Sequence, residues 1–456
     1  MNRAGWCALF LVVLASRLAH SSVLWVEESY PAAAAVQILH GLVPYRDFVF
    51  DKPPLSPLVY LLWGALDGVP GRVAGAIYVT VCAWLASRFA RDAYGVRESA
   101  AAAILMAFSL TFYLPAAVMA LAPDLLMVAP HLAAVHAAFV GRPRLAGALA
   151  GVSLLLHTKG LFVLLACLLW GGARNVLLGF AGVAGAGHLA LAAAGSLGPY
   201  WEQVWRWGAG YAATSHLASP LTDALSRVAN WLGFHAALAT TTAVCLAREG
   251  RRARLILWLT VSLAAVALGW RFMPRYFFQL LPVFVVCASR GFLLLPRRRA
   301  AAAALLLLIP FLRFGPRYFL IDSRWPDTAM SRDAAAAASA VRSRSRPGDT
   351  ILVWGYRPEI LHLTRLRLGT PWLDSQSLTG VLADRHLSDS RPSFGALAAA
   401  NRRRLSAMQP DFVVDGLGLY NPRLAIQAYP DLADWLGGYR ETHRTAGAII
   451  LERVSR

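Results

Sequence analysis

Apolar runs long enough to cross a bilayer recur from residue 5 to residue 313, and this feature restricts the fold more than any other. Inside hydrocarbon no water satisfies the backbone, so a crossing chain must form helices or a closed barrel, and continuous apolar runs of this length are helical. Charged residues make up 15% of the sequence, against about 25% in ordinary soluble domains. After Phe314 the texture changes. Residues 315–456 carry 19 Arg and 14 Asp/Glu and no run of spanning length. The sequence therefore predicts two domains: an α-helical polytopic membrane domain over 1–314 and a small extracytoplasmic α/β domain over 315–456.

About eleven spans are expected, at roughly 5–25, 72–90, 98–116, 122–140, 145–158, 160–173, 176–196, 228–246, 255–270, 275–292 and 300–314. The segment "LSPLVYLLWGALDG" (55–68) is bounded by Pro-Pro and "VPG". Its roughly fourteen residues, at about 1.5 Å each, cover about 21 Å of a ~30 Å core. Arginine decides its place. If 55–68 lies in the interface, fourteen basic residues fall on one side, including Arg88, Arg91, Arg97 and the "REGRR" and "PRRR" clusters. The other side holds six: Arg72, Lys159, Arg206, Arg227, Arg271 and Arg275. The richer side is cytoplasmic by the positive-inside rule. The expectation is a multi-pass protein of the inner (plasma) membrane, N-terminus inside and C-terminal domain outside. "GWCALFLVVLA" after Arg3 could open a signal peptide ending at "AHS". The apolar stretch runs on to Trp25, which favours an uncleaved span, and both readings leave the next loop external.

The same asymmetry accounts for the net charge of +19 without a nucleic-acid partner. Five cysteines, odd in number and without a CxxC pair, exclude a disulfide or zinc framework.

The first external loop reads "WVEESYPAAAAVQILHGLVPYRDFVFDKPP". A carboxylate pair, Glu27 and Glu28, stands at the membrane exit. A short helix is expected over roughly 31–40, ended by Gly41. The loop then returns with Tyr45, Arg46, Asp51 and Lys52, closed by Pro53-Pro54. Asp124 sits at the external end of the fourth span, Lys159 at an external turn, and Arg271, Arg275 and Tyr276 at another external edge. Ionisable residues at membrane depth are costly and are functional candidates by default; gathered on one side, they argue for one site. Paired carboxylates can do base work or hold a metal. Lys52 and Lys159 are the chain's two lysines beside 42 arginines, and a compact ammonium suits a point contact to phosphate where Arg offers a planar fork. The loop over 198–216, with Tyr200, Trp201, Trp205, Trp207 and Tyr211, reads as an interfacial aromatic belt, with stacking on a sugar or lipid chain as the alternative. His131, His136 and His157 read as helix-packing residues.

These residues carry a resemblance. The loop resembles the first external loop of the polytopic GT-C glycosyltransferases, the group with the protein O-mannosyltransferases and lipid A aminoarabinose transferases. In that group an Asp-Glu pair follows the first span and a "PYRDF…KPP"-like segment closes the loop. Glu27 stands in place of the Asp, one methylene longer; Glu28 and Asp51-Lys52-Pro53-Pro54 match as they stand. "ALAPDLLM" places Asp124 like the family's second acidic residue. "LLHTKGLFVLL" resembles its Thr-Lys-Gly turn, and "WRFMPRYFFQLLPVF" its Arg…Tyr…Leu-Pro element, here Arg271, Arg275, Tyr276 and Pro282. The likeness covers roughly residues 5–295.

The resemblance implies transfer of a sugar, with inversion, from a polyprenyl-phosphate-linked donor to a hydroxyl of a glycan, lipid or protein on the external face. It implies Glu27 or Asp124 as base with Glu28 beside it, and Lys52, Lys159, Arg271 and Arg275 on phosphate. Tyr45, Arg46, Asp51 and Tyr276 would bind or orient. No cofactor is fixed by it, and a divalent metal on Asp51 and Glu28 stays open. The same charges could line the head-group path of a transporter or flippase for a lipid-linked saccharide, although no internal repeat supports this; an inactive scaffold is a third reading. In the C-terminal domain a helix is expected from near Asp327 or Thr328, strands over 349–355 and 411–417, and a hairpin about Gly447. "VWGYRPE" lacks the glycine spacing of a dinucleotide loop. No chemistry is assigned to this domain; acceptor binding and closure of the site from above both stay open.

Overall fold

The computed structural model describes residues 1–213, 219–250, 252–319, 325–382 and 394–454. Helices dominate as far as residue 319. Among the described residues three are long and apolar enough to cross a membrane, by length and composition: Val69–Ala93, Ala173–Ala193 and Arg297–Tyr318. Pro123–Phe139, Pro143–Leu156, Ala236–Arg248 and Leu281–Leu294 are apolar but shorter. The expected eleven spans thus do not emerge as eleven long helices. Punctuation is the reason. The stretch over 98–116 leaves its helix after Ser109 and restarts at Pro115, and Gly160–Leu168 has nine residues. Proline at the first helical position favours such restarts.

Close approach compensates for short helices. A Cβ on Gly147 would lie 1.8 Å from the Val176 carbonyl, and one on Gly179 would lie 2.0 Å from that of Arg144. Helices Pro143–Leu156 and Ala173–Ala193 therefore meet backbone to backbone, as small residues allow where lipid offers no hydrophobic drive.

The helix expected over 31–40 begins earlier, at Val26, and runs through Pro31 to Leu39, with Gly41 beyond it at φ +78. Glu28 accepts the Trp25 N–H at 3.0 Å, and carboxylates in a first turn face the positive end of the helix dipole. Glu27 and Glu28 thus sit on a rigid first turn, not in an irregular exit. The 55–68 segment contributes one helix of seven residues, Leu55–Leu61, about 10 Å long and far short of a crossing.

The C-terminal region forms a five-stranded sheet: β1 (Thr350–Trp354), β2 (Arg367–Leu368), β3 (Phe412–Asp415), β4 (Tyr439–Arg444) and β5 (Ile449–Arg453), in the order β2-β1-β3-β5-β4. β1 runs parallel to β2 and β3, whereas β5 is antiparallel to β3 and β4. Both expected strands and the hairpin about Gly447 are present. The expected helix starts at Pro326 with Asp327 in its first turn.

This sheet is seated on the first external loop. Tyr30, Ala33, Phe48 and Phe50 share one apolar core with Ile351, Val353, Ile360 and Val414. The Val49 N–H donates to the Pro371 carbonyl at 2.7 Å. Gln37 accepts the Leu368 N–H at 2.9 Å and donates to the Leu366 carbonyl at 3.0 Å.

Candidate functional site

Neighbouring residues on a helix point about 100° apart, and Glu27 and Glu28 show the consequence. Glu28 faces inward and is buried. Both of its oxygens meet the Arg72 guanidinium, Oε2 at 3.0 Å from Nη1 and Oε1 at Nη2. Arg72 also donates to the carbonyls of Met119 (3.0 Å) and Val23 (2.9 Å). Arg17 donates to those of Met119 (3.2 Å) and Val118 (2.6 Å). Glu28 is the counter-ion of a buried arginine staple.

Glu27 faces the other way. Its Oε1 meets Nη1 of Arg275. The Arg275 Nε lies 3.4 Å from Asp124 Oδ2, and Asp124 Oδ1 lies 3.4 Å from His157 Nε2. The Lys159 backbone N–H donates to His157 Nδ1 at 3.0 Å, which leaves the ring proton on Nε2, towards Asp124. One polar chain therefore links Glu27, Arg275, Asp124, His157 and the Lys159 turn across four separate stretches of sequence.

Beside this chain is a cavity of about 130 Å³ whose lining includes Lys52, Lys159, Arg271, Tyr211 and Tyr276. Lys159 Nζ is buried, stands 3.3 Å from the centroid of the Tyr276 ring, and has no hydrogen-bond partner among the described residues. Such stacking offsets only part of what the ammonium loses on leaving water. Lys52 Nζ lies 3.0 Å from Asp51 Oδ2. Burial opposes the Lys52 charge, but Asp51 outweighs it and holds the ammonium above the ordinary lysine range. The Arg271 guanidinium lies 3.4 Å from the Tyr211 ring centroid and donates to the Tyr211 carbonyl at 2.8 Å. Trp270 and Phe272, either side of it, have φ +50 and +44, a left-handed backbone that costs a bulky residue roughly 1–2 kcal/mol. Strain of this kind clusters where a side chain must be held in place. The Arg227 guanidinium, 2.5 Å from the Arg271 carbonyl, braces it.

Of the residues singled out in the sequence, Asp51, Lys52, Lys159, Arg271 and Tyr276 line the cavity. Glu27, Asp124 and Arg275 do not line it; they are joined to it through His157, which does, and through Tyr276 beside Arg275. Tyr45 is buried at φ +69 and donates its hydroxyl to the Lys52 carbonyl at 2.6 Å, so it shapes the loop. Arg46 is not brought into the cluster. It pairs on the surface with Asp47 (2.8 Å) and reaches the Ala194 carbonyl (3.3 Å). Among the described residues no three His, Cys, Asp or Glu side chains gather to hold a metal. Asp51 and Glu28 are already matched to Lys52 and Arg72, a donor set that does not fit a divalent ion.

His131 accepts the Trp258 indole N–H at 3.0 Å and His136 pairs with Asp92 at 2.8 Å, both as packing residues. His157 is different: expected as a packing residue, it lines the cavity beside Asp124, and its place two residues before Lys159 was the available signal. In the aromatic loop, Trp207 and Tyr211 line the cavity while Trp201 and Trp205 stack on each other at 6.0 Å; residues 214–216 lie outside the described residues. Tyr356 was missed as well. It stacks on Tyr30 at 5.7 Å. Burial raises its phenol well above the usual range, and the charges of Glu27, Asp51 and Asp374 push the same way. The C-terminal region thus sets a buried, neutral phenol against Tyr30 of the first external loop.

No family model matches the sequence, and no curated protein matches it. Solved structures do. ArnT from Cupriavidus metallidurans, bound to undecaprenyl phosphate, superposes with a TM-score of 0.64 at 13% identity, over 100% of this chain and 99% of that one. Its apo form gives 0.63 at 14%. The oligosaccharyltransferase of Archaeoglobus fulgidus in the apo form gives 0.51 at 12%, over 92% of this chain and 71% of that one. Both are GT-C glycosyltransferases, and theirs is the fold of this chain.

Proposed function

We propose that this chain, folded like the GT-C glycosyltransferases, moves a sugar from a polyprenyl-phosphate-linked donor to an acceptor hydroxyl on the extracytoplasmic face, with inversion. The observation that carries the reading is Lys159: a buried ammonium without a hydrogen-bond acceptor among the described residues, in a cavity that it shares with Lys52 and Arg271. A phosphate oxygen would supply the missing partner.

In the reaction the acceptor oxygen forms a bond to the anomeric carbon as the bond from that carbon to the phosphate oxygen breaks. The electron pair leaves with the phosphate, which gains one negative charge and needs no proton. Lys159, Lys52 and Arg271 hold that charge. A preorganised cation in a water-poor site acts most strongly where charge develops. Glu27 takes the acceptor proton. Of the two carboxylates that Arg275 joins, its side chain is 24% exposed and that of Asp124 is 6% exposed, so an incoming hydroxyl reaches Glu27. Asp124 orients Arg275 and His157. Arg275 is already engaged by both carboxylates, so phosphate falls first to the other three cations. Glu28 positions the helix turn that carries Glu27.

Two further parts of this reading rest on sequence texture. The arginine asymmetry supports a multi-pass inner-membrane protein of about eleven spans with the N-terminus inside, and the change of composition at residue 314 supports the division between domains.

The test is donor turnover by the purified protein in nanodiscs, with a labelled polyprenyl-phosphate sugar. Wild type should release or transfer the sugar, and Glu27→Gln should abolish this while still binding the donor. A wild-type protein that carries intact donor across the bilayer without breaking the sugar–phosphate bond would overturn the reading in favour of a flippase.

A further inference from the structure

A second cavity, of about 340 Å³, opens beyond Asp51. It shares Asp51 and Trp207 with the cation-lined cavity. Much of the rest of its wall belongs to the C-terminal region, including Trp372, Asp374, Gln376 and Asn401. The volume is in the usual range for small-molecule sites, about 300–1,000 Å³.

Its chemistry is the reverse of its neighbour's. Trp207 and Trp372 offer flat apolar faces. Asp51, Asp374 and Glu202 offer acceptors, and the amides of Gln376 and Asn401 offer both kinds of group. Asp51 Oδ1 is buried and has no hydrogen-bond partner among the described residues, while Oδ2 serves Lys52. Among the described residues Arg404 is the one cation in the lining, 5.8 Å from the Trp372 ring centroid. Asp51 is already matched to Lys52 and Glu202 to Arg206, so among the described residues the lining has no surplus of positive charge to hold a phosphate. A neutral ring with apolar faces and a hydroxylated edge fits both the aromatic faces and the acceptors.

We infer that this cavity receives the acceptor, and that the part of the acceptor it holds is a neutral saccharide ring. The inference rests on the glycosyltransferase reading. A donor sugar is one bond from its phosphate, so with phosphate at Lys159 it occupies the junction near Asp51, and the space beyond is left to the acceptor. Tyr30 lies three residues after Glu27 on the same helix and therefore on the same face. Because Tyr30 belongs to the lining, a ring in this cavity lies on the side of the helix that carries Glu27. The C-terminal region thereby becomes the part of the molecule that selects what is glycosylated.

The test uses full-length protein in nanodiscs and a donor labelled in its sugar. Three acceptors are offered separately: neutral oligosaccharides from the producing cell's envelope, envelope protein stripped of glycans, and phospholipid vesicles. The readout is the ratio of label transferred to label released to water. Wild type should label the oligosaccharides. Leu397, 48% exposed in the cavity wall, can be enlarged with little strain, and Leu397→Trp should lower the ratio at least tenfold. Asn401→Ala should raise KM for the oligosaccharide about fivefold with kcat little changed, in protein that elutes as wild type does. Label appearing in the protein or vesicle arm alone, or an unchanged ratio in Leu397→Trp, overturns the inference and leaves the enzyme reading standing. Wild-type protein that neither transfers nor releases sugar takes both down.

Discussion

The two cavities that meet at Asp51 are neighbours of opposite character. One is walled largely by turns at the ends of the helical region and lined by cations; the other borrows its wall from the C-terminal sheet and is lined by rings, carboxylates and amides. Asp51 serves both, with Oδ2 on Lys52 and Oδ1 without a hydrogen-bond partner among the described residues. The contrast teaches that charge here is sorted by space and not by sequence, since Asp51 and Lys52 are consecutive. Glu27 and Glu28 repeat the lesson. They are identical and adjacent, yet one is buried against Arg72 and the other joins Arg275 at the site.

The contrast breaks most plainly at Glu27. Glu27→Gln should lower transfer about 10²–10⁴-fold, the usual worth of a positioned base, with the Tm held near wild type. Lys159→Ala should lower kcat about 10²–10³-fold, and Lys159→Arg should restore only part of it because a planar fork replaces a point charge. Glu28→Gln is the counterpart that sharpens the comparison. It strands the buried Arg72 charge, so the expected loss is stability, about 3–5 kcal/mol, read as a lower Tm before any change in the turnover of the folded fraction.

Asp374 gives the second cavity a pH signature. Burial raises its carboxyl to about 6 from an ordinary 3.8, Asp51 adds to the rise, and the Gln376 N–H groups and Lys52 oppose it. The folded protein therefore binds more protons than the unfolded chain between those values, and stability falls as pH climbs from 3.8 to about 6. Asp374→Asn should remove this slope, on the order of 3 kcal/mol, in Tm measured against pH. The smallest effect belongs to Arg46→Ala. Its exposed pairing with Asp47 contributes little to stability, and turnover should stay within threefold.

Much of the site was legible because charge at membrane depth is expensive. Glu27, Asp124, Lys159, Arg271 and Arg275 stood out against apolar sequence for that reason, and the structure gathers them. The C-terminal strands were legible as short buried runs. The arginine staple on Glu28 was not, because Arg17 finds the Val118 and Met119 carbonyls 101 and 102 residues away and Arg72 that of Met119 47 residues away, with no local mark. The seating of residue 49 on residue 371 is equally silent in the sequence, and so therefore was the second cavity. The start of the helix at Val26 was hidden by Pro31, which reads as a boundary but is tolerated inside the helix. The breaks in the helices at Ser109 and Met127 were not legible because they depend on neighbours, not on hydropathy.

The account depends on the cation cavity being a phosphate site. Native mass spectrometry of polyprenyl phosphate binding to wild type, Lys159→Ala and Arg46→Ala in nanodiscs tests it directly. The expected result is one bound lipid phosphate on wild type and Arg46→Ala, with affinity at least thirtyfold weaker in Lys159→Ala. Equal binding by all three would contradict it.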